Sequence, residues 1–436
     1  MKYAGQITEI INAFSPEPLE ISQMQEFYCG NTMEYRMSDK YSSPMEDIYD
    51  LCREPGTRNA FLLLGHKGCG KSTELNRMSQ RLKEGGYPVK TVLCSMDLDL
   101  LNIMYSDLFL LMGEALLEMA KEQGCSIDRK LLEDIAGFWS EGTELMIFRE
   151  EESASLETGA SAETPGILNI LKLFARLKTD LKFNEETRKE YRKKISVRSS
   201  EWIKMLEQVT EKISQKTGGK QPVIIFEDLD KLNPEDAWKV FYHYAAILSG
   251  MPFPVIYTFP IGLSYDGKFA AMESYFMPKT LPMIKMETLD GRPFREGIEV
   301  IREIVRKRAD LSLFEDCVLD ELIHYTGGSL RDLFYAINTS AKRAMRRNST
   351  AISMEDATRA LEELKTSLTR RIEEKDYDFL LNIYNGNKEK IENKEMLLKM
   401  LQASVVLEYN GKRWHNVHPL VALFFKEQGL IENGCE

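Results

Sequence analysis

The chain alternates short apolar runs with long stretches of helical periodicity. Apolar runs at residues 60–64, 89–95, 223–226 and 255–257 are bounded by glycine, proline or polar residues, and a weaker run follows at 284–286. Runs this short and rich in β-formers are typical of buried parallel strands. Helical periodicity at 71–83 joins the first two runs into a βαβ unit. We therefore predict an α/β fold with a five-stranded parallel sheet.

The remaining pattern is mainly helical. Apolar residues recur at helical spacing over 101–148, 167–216 and 294–364, while residues 150–166, rich in Ser, Ala, Glu and Gly, are predicted to be a mobile linker. The C-terminal part predicts helices near 376–385, 389–401 and 419–428 and a hairpin turning at Asn410-Gly411, which is the outline of a winged helix. The predicted domains are an N-terminal segment at 1–58, a core at 59–290 with a helical insertion at about 101–220, a helical lid at 291–370 and a winged-helix-like domain at 371–436.

Residues 65–72 match the pattern G-x-x-x-x-G-K-[ST] between a predicted strand and a predicted helix. In this context the glycines let backbone N–H groups turn inward around an anion, and the helix directs its positive end at the β-phosphate. Lys71 would neutralise the β- and γ-phosphates, and Ser72 would bind Mg²⁺. The loop therefore predicts a nucleoside triphosphate site with a magnesium ion.

Acidic residues follow the strand predicted at 223–226, namely Glu227, Asp228 and Asp230. A phosphate-binding loop needs a second strand that ends in a carboxylate to hold the metal, and this is the candidate. The alternative is a cluster that caps the next helix, because Asp favours such positions. The two interpretations are compatible for Asp230 but not for Glu227 and Asp228.

The segment 326–332, TGGSLRD, introduces a helix whose apolar residues lie on one side and whose Arg331 lies on the other. An arginine at a capped helix start can donate a fork of hydrogen bonds to a γ-phosphate from a separate lid. The alternative is an ordinary surface salt bridge.

These motifs occur in an order that resembles a known family. GHKGCGKST, IIFEDLDKL, Thr258 at the tip of the next strand, TGGSLRDL and the terminal winged-helix pattern resemble an AAA+ ATPase of the branch that contains origin-recognition initiators and STAND signalling ATPases, in particular bacterial stand-alone members, over about residues 25–430. The resemblance implies a P-loop NTPase αβα core, a helical lid, a winged helix, and ATP with Mg²⁺ as cofactors. It implies phosphate binding by Gly65, His66, Lys67, Gly68, Cys69, Gly70, Lys71, Ser72 and Thr73, metal binding by Ser72, Glu227 and Asp228, and catalytic roles for Lys71, Glu227, Asp228, Thr258 (sensor 1) and Arg331 (sensor 2).

The order of the two acids departs from the family pattern, which has Asp on the metal and Glu on the attacking water. Here Glu227 comes first and the shorter Asp228 stands at the water position. Catalytic geometry tolerates little displacement, so slow turnover or a switch that holds ATP is expected. Three basic residues are candidates for an arginine-finger role towards a neighbour, namely Lys268, Lys279 and Arg292. Residues 27–36 resemble the segment that covers adenine in this family, with core-edge packing as the alternative.

Charge limits the choice of partner. Lys and Arg number 57 and Asp and Glu 68, a net charge of −11, which excludes a chain-wide nucleic-acid coat. A DNA contact would require a local patch at 182–198 or 342–347, since the winged-helix segment is near neutral. Seven scattered cysteines, no signal-peptide layout and no membrane-length apolar run favour a cytoplasmic protein without membrane contact.

The leading hypothesis is an AAA+/STAND-like ATPase that acts as a nucleotide-driven switch. Mg-ATP would close the lid through Arg331 and move the winged helix, which would control a protein partner or a homo-oligomer. Fold-level analogy with bacterial systems includes antiviral defence. The alternatives are an origin-recognition-like, ATP-dependent DNA-binding protein and a pseudo-ATPase scaffold that holds ATP.

Overall fold

The computed structural model describes residues 1–32, 34–37, 43–54, 59–140, 164–386, 388–409 and 413–431. Its centre is a parallel sheet with the strand order β2-β3-β4-β1-β5. The strands are β1 (Ala60–Leu64), β2 (Val89–Leu93), β3 (Val223–Glu227), β4 (Val255–Phe259) and β5 (Met277–Thr280). Strands β1, β3 and β4 are buried at every position, because helices cover both faces of a parallel sheet. The predicted α/β class with five parallel strands is confirmed.

The prediction of the fifth strand is wrong in position. Residues 277–280 form it and pair with β1, whereas residues 284–286 lie outside every strand. Met277-Pro278-Lys279-Thr280 is half-buried and contains proline, which sequence patterns exclude from central strands but which an edge strand tolerates. Ile284 is fully buried for another reason, since its backbone supports the lid at Gly328.

Helices surround the sheet and fill the insertion between β2 and β3. A cluster of aromatic rings forms the core of the insertion, where Trp202 lies 5.0 Å from Trp139 between ring centroids. Gly113 lets Trp202 approach, because a Cβ at Gly113 would lie 2.5 Å from the indole ring. The described helices of seven or more residues up to the end of the insertion are α1 (Ile21–Phe27), α2 (Pro44–Arg53), α3 (Lys71–Glu84), α4 (Tyr105–Glu122), α5 (Arg129–Trp139), α6 (Thr164–Phe183) and α7 (Glu185–Lys216).

The structure alters two of the predictions made for the insertion. Most of the predicted linker lies outside the described residues, and residues 164–166 already belong to α6. The basic run at 182–198 is partly internal rather than a free surface: Arg188 is buried and donates to the Leu181 carbonyl, and Arg192 pairs with Asp107 at 2.6 Å. These arginines hold helices together, so they contribute less to any polyanion patch.

Residues 291–431 follow the predicted order of helices and hairpin. We keep the names lid for residues 291–370 and C-terminal domain for residues 371–436, although this division into domains stays a prediction. Strands β6 and β7 pair antiparallel on either side of the predicted turn, and the turn residues 410–412 lie outside the described residues. The assignment of this domain as a winged helix stays a prediction. The helices of eight or more residues in this part of the chain are α8 (Arg295–Arg306), α9 (Val318–Tyr325), α10 (Leu330–Arg346), α11 (Met354–Thr369), α12 (Tyr377–Tyr384), α13 (Lys394–Gln402) and α14 (Pro419–Glu427), and its strands are β6 (Val406–Tyr409) and β7 (Trp414–Val417).

The glycine-rich and acidic motifs lie at the same edge of the sheet. The chain leaves β1 into the glycine-rich loop and leaves β3 into the acidic segment, so both motifs lie at the carboxyl ends of parallel strands. Ligands of open α/β sheets bind in the crevice outside these ends. Within the described ranges, none of the helices has the length and apolarity needed to span a bilayer.

Candidate functional site

The glycine-rich loop connects β1 to α3 in the conformation that its glycines permit. Gly68 and Gly70 have φ angles of 87° and 99°, in the left-handed region that side-chain-bearing residues rarely adopt. Helix α3 begins at Lys71, so its first N–H groups point into the loop. The loop is therefore preformed as an anion-binding turn.

The Lys71 ammonium lies at the centre of this loop, where its side chain is 6% exposed. It donates to the carbonyls of Gly65 and His66 at 2.7 and 2.9 Å and pairs with Asp230 at 2.9 Å. Burial alone lowers the pKa of Lys71, but the Asp230 carboxylate outweighs burial and holds that pKa above its usual value. Burial likewise raises the pKa of Asp230, and Lys71 brings it below its usual range. The Asp230 carboxylate thus contacts the ammonium at the place where a phosphate oxygen of a bound nucleotide would lie.

The other two acids, Glu227 and Asp228, both lie beside the loop, but their surroundings differ. Glu227 ends β3 and is 3% exposed, and the nearby Ser72 hydroxyl opposes the effect of burial on the pKa of Glu227. Burial raises the pKa of Glu227, and the neighbouring carboxylates of Asp228 and Asp230 add to the rise. Paired hydroxyl and carboxylate oxygens are ligands that Mg²⁺ prefers, so Ser72 and Glu227 fit the ion that the sequence implies.

Asp228 has a strained backbone and a restrained side chain. Its φ of 73° is uncommon for a residue with a side chain and marks a sharp turn after the strand. The carboxylate accepts a hydrogen bond from Ser95, in the short helix that follows β2, and pairs with Lys231. Asp228 therefore faces the cavity with both oxygens engaged.

Thr258 supports this turn from the neighbouring strand β4. Its hydroxyl accepts the backbone N–H groups of Leu229 and Asp230 at 3.1 and 3.4 Å. Thr258 is 2% exposed and is not among the described residues that line the cavity. In this arrangement it positions the acidic turn, whereas the sensor-1 role assigns it a direct phosphate contact.

Helix α10 of the lid begins directly on the glycine-rich loop. The Leu330 N–H donates to the Gly68 carbonyl at 3.1 Å, and a Cβ at Gly68 would lie 2.6 Å from the Arg331 Cβ. The Arg331 guanidinium lines the cavity, and no hydrogen bond or ion pair holds it in the described part of the chain. Burial lowers the pKa of the nearby Lys67, and the charges of Arg331 and Lys71 lower it further. These three cations converge on a space suited to a polyanion.

A cavity of about 770 Å³ extends from this loop along the lid. Six of the nine predicted phosphate-binding residues line it, while Gly65, His66 and Cys69 are absent from its lining and contribute backbone to the loop. The segment predicted to cover adenine also contributes, namely Phe27, Tyr28, Cys29, Thr32 and Arg36.

The geometry adds contacts at the candidate site for Asp230, which the sequence named only among the acids after β3, and for Ser95 and Arg36, which it did not name as site residues. Asp230 pairs with the loop lysine, and Ser95 holds Asp228. Arg36 is 1% exposed and donates to the carbonyls of Cys69 and Pro282 at 2.7 Å each, which fixes the back of the loop. The third acid after β3 was a visible signal for Asp230, whereas Ser95 and Arg36 have no local motif.

The C-terminal domain contacts both phosphate-side elements. The backbone N–H of Glu408 in β6 donates to Nε2 of the loop residue His66 at 2.8 Å. The Tyr409 hydroxyl donates to the Gly327 carbonyl at 2.7 Å, next to the start of α10. Nε2 of His418 lies 3.6 Å from a carboxylate oxygen of Asp332, the neighbour of Arg331. The glycine-rich loop and the lid helix are therefore both joined to one domain.

Comparison with known proteins gives structural likenesses but no family by sequence. No family model and no curated protein matches the chain. It is similar to the Walker-type ATPase of Pyrococcus abyssi (14% identity, 95% of this chain and 99% of that one, TM-score 0.44). It is also similar to Cdc6p of Pyrobaculum aerophilum (12%, 96% and 97%, 0.38) and to the ORC2 protein of Aeropyrum pernix (12%, 96% and 98%, 0.39).

At these identities and TM-scores the likenesses identify no family for the chain. The loop, strand and helix geometry described above decides the architecture. The core is that of a P-loop NTPase.

The three candidates for an arginine-finger role lie outside the cavity lining. Lys279 pairs with Asp47, and Arg292 pairs with Asp290. The Lys268 ammonium lies 5.7 Å from the centre of the Trp238 ring. Each is engaged within its own chain, and an arginine-finger role towards a neighbouring molecule stays a prediction.

His66 makes folding stability depend on pH. Burial lowers the pKa of His66 to about 4, although the Glu408 carboxylate opposes the shift. As pH falls below about 6.5, the unfolded chain binds a proton that the folded chain does not accept until about pH 4, so stability is lost across this window. Between pH 7 and 5, the wild-type free energy of unfolding should fall by about 2 kcal/mol more than that of His66→Gln.

Denaturant unfolding at both pH values measures this difference. Glutamine keeps a neutral acceptor but does not titrate, so it is the matched control. Equal losses in the two proteins would mean that His66 is free to protonate in the folded chain.

Proposed function

We propose that this protein is a Mg-ATP-binding AAA+ ATPase of the origin-recognition/STAND-like type, in which the nucleotide controls the docking of the C-terminal domain. One observation carries the proposal: the glycine-rich loop and the Arg331 helix border the same cavity, and the C-terminal domain is hydrogen-bonded both to the loop, at His66, and to Gly327 just before that helix. A ligand that spans the loop and Arg331 would stabilise both contacts together.

Different residues at the phosphate end of the cavity would bind different parts of Mg-ATP. Lys71 exchanges the Asp230 carboxylate for phosphate oxygens, and the loop N–H groups hold the remaining oxygens. Ser72 and Glu227 would hold Mg²⁺, which neutralises phosphate charge when bound. Arg331, whose guanidinium has no hydrogen-bond or ion-pair partner among the described residues, is available for the terminal phosphate. The separation of these groups between core and lid makes lid position depend on the ligand.

Asp228 is the candidate that would orient and deprotonate the attacking water. Its carboxylate is held by Ser95 on one oxygen and Lys231 on the other, so only the remaining lone pairs, in an orientation fixed by these two contacts, are open to a water. Its shorter side chain adds to this restraint. Slow hydrolysis, and therefore a long-lived ATP state, is the behaviour that these contacts favour.

The partner would be a separate protein or further copies of this chain. The near-neutral C-terminal segment and the internal pairing of Arg188 and Arg192 favour a protein over DNA. A role in a bacterial defence system is carried by the sequence resemblance alone.

Hydrogen exchange at the C-terminal hairpin tests the switch. At Mg-ATP concentrations near 100 times Kd, amides of residues 406–409 should exchange up to about 100-fold more slowly, because opening would then have to release the ligand. Arg331→Ala should keep binding yet lose most of this protection. Arg346→Ala, an exposed arginine at the end of the same helix, is the matched control and should retain it.

Unchanged exchange in saturating Mg-ATP would remove the switch and leave a nucleotide-binding core. Sizing the protein with and without ATP in parallel separates the two kinds of partner, since further copies of this chain would appear as an ATP-dependent increase in mass.

A further inference from the structure

Within the described residues, Arg36 is a buried cation that is held by backbone carbonyls. Its side chain is 1% exposed, Nη1 donates to the Pro282 carbonyl and Nη2 to the Cys69 carbonyl, each at 2.7 Å, and Nε has no acceptor. No carboxylate of the described chain pairs with this guanidinium. A cation is costly to bury without an anion, so we expect its two carbonyl contacts to serve more than packing.

The contact with Cys69 fixes one peptide group of the glycine-rich loop. In a trans peptide the C=O and N–H groups point in opposite directions, so the Gly70 N–H points away from the Arg36 guanidinium. Gly70 lines the cavity, and no hydrogen bond between described residues uses its N–H. The Gly70 N–H is therefore held as a free donor immediately before helix α3, where an anion would bind.

The Cys69 carbonyl depends on Arg36 for its hydrogen bond. Among the described residues no other group donates to it, whereas the Lys71 ammonium holds the carbonyls of Gly65 and His66 at the other end of the loop. Cys69 is fully buried, so without Arg36 its carbonyl would lack both a donor and water. We expect the peptide then to rotate, which would withdraw the Gly70 N–H from the cavity.

The contact with Pro282 connects the same guanidinium to the base of the lid. Pro282 follows β5, and the N–H of the next residue, Met283, donates to the Glu408 carbonyl in β6 at 3.3 Å. One residue further, the Ile284 carbonyl leaves no room for a Cβ at Gly328, just before α10. Arg36 therefore fixes the loop peptide relative to the segment on which the lid and β6 rest.

We propose that Arg36 is a positioning residue for the phosphate end of the nucleotide, because by holding the Cys69 carbonyl it presents the Gly70 N–H to a phosphate oxygen. The guanidinium acts through the peptide and needs no contact with the ligand. Its bond to Pro282 makes this donor depend on the base of the lid as well as on the loop. The inference rests on the proposed nucleotide binding and adds a residue that lies outside the loop, the acidic turn and the lid.

Calorimetric titration of the full chain with Mg-ATP and with magnesium pyrophosphate measures the effect on affinity. Arg36→Met, which keeps the bulk of the side chain but no donor, should weaken both ligands about tenfold to hundredfold, which corresponds to one hydrogen bond to a charged group. Arg36→Lys keeps the charge but not the planar fork, so its loss should be about threefold to tenfold. If wild type does not bind Mg-ATP, the proposed function fails; if it does and both variants match it, only the role of Arg36 is overturned.

The Gly70 N–H can be followed directly, because the sequence has two Cys-Gly pairs, Cys29-Gly30 and Cys69-Gly70. Labelling with carbonyl-¹³C cysteine and ¹⁵N glycine therefore leaves two amide signals in a carbonyl-correlated NMR spectrum, and Cys29→Ser removes the other one. Saturating magnesium pyrophosphate should shift the Gly70 signal of wild type. In Arg36→Met that signal should start from a different position and shift less. An unmoved Gly70 signal in pyrophosphate-bound wild type would overturn the inference.

Arg308→Met is the matched control, because Arg308 is also a buried arginine that lines the cavity but donates to the Ala13 carbonyl, outside the loop. It should keep the pyrophosphate affinity within about threefold and leave the Gly70 signal in place. A loss equal to that of Arg36→Met would mean that any cation in the cavity wall matters, and the positioning role would be wrong. If melting curves show that Arg36→Met does not fold, Arg36→Lys decides: wild-type affinity and an unchanged Gly70 signal in that variant would refute the proposal.

Discussion

Replacing Lys71 with alanine should lower the affinity for Mg-ATP at least about 100-fold, or about 2.7 kcal/mol. The ammonium is buried at the centre of the glycine-rich loop and has one carboxylate partner, Asp230, which phosphate oxygens would replace. No other cation in the described part of the loop is buried to the same degree. Equilibrium binding of Mg-ATP measures the effect, and Lys83→Ala, an exposed lysine near the end of the same helix, is the matched control.

A substitution at Asp230 distinguishes an effect on ATP affinity from an effect on folding stability. Removing either member of a buried pair leaves an uncompensated charge and costs roughly 3–5 kcal/mol of stability. Both Lys71→Ala and Asp230→Asn should therefore destabilise the nucleotide-free protein. Asp230→Asn frees the ammonium for phosphate, so its affinity should be unchanged or higher, while the double variant should regain stability without binding. Wild-type affinity in Lys71→Ala would refute the assignment of this loop as the phosphate site.

Replacing Asp228 with asparagine should reduce the rate of phosphate release at least about 100-fold and change ATP affinity by less than about threefold. A positioned general base typically contributes 10²–10⁴-fold, and asparagine keeps the shape but cannot accept the proton. Ser72 and Glu227, which would still hold the metal, are unchanged in this variant, and the asparagine side chain keeps an oxygen at the third predicted ligand position. Phosphate release under single-turnover conditions measures the chemical step.

Replacing Ser95 tests the role of Asp228 a second time, with an expected change in turnover of the opposite sign. Ser95→Ala removes one contact that restrains the Asp228 carboxylate, so turnover should rise if that restraint limits the rate. Undiminished turnover in Asp228→Asn would assign the base to another group. Absence of phosphate release in wild type, with tight ATP binding, would leave the pseudo-ATPase scaffold as the correct alternative.

The sequence predicted elements whose signals are local. Strand β1 and helix α3 are found where hydrophobic runs and the glycine pattern predicted them, because a fully buried strand and a loop with left-handed glycines each require particular residues. The strand at 277–280 was missed because an edge strand with Pro278 lacks the apolar signal. Ile284 gave that signal through burial under the lid.

The residues of the candidate site likewise fall into two groups, those that a local motif predicts and those that only the structure reveals. Lys71, Ser72 and Glu227 belong to motifs, and the structure brings them together. Ser95 and Arg36 act through contacts between segments far apart in sequence, so no spacing rule could find them. Thr258 illustrates a third case, in which position along the chain was informative but the direction of the hydroxyl depended on how the next turn folded.

The contact between Gly68 and the start of α10 has a consequence for how this protein can evolve. The lid meets the loop through the Leu330 N–H and the Gly68 carbonyl, with no side chain between Gly68 and the Arg331 Cβ. Side-chain replacements elsewhere in the lid leave this main-chain hydrogen bond and its spacing intact. Lineages could therefore diversify the surfaces of the lid and still inherit the same reach of Arg331 towards the loop, provided that position 68 stays glycine.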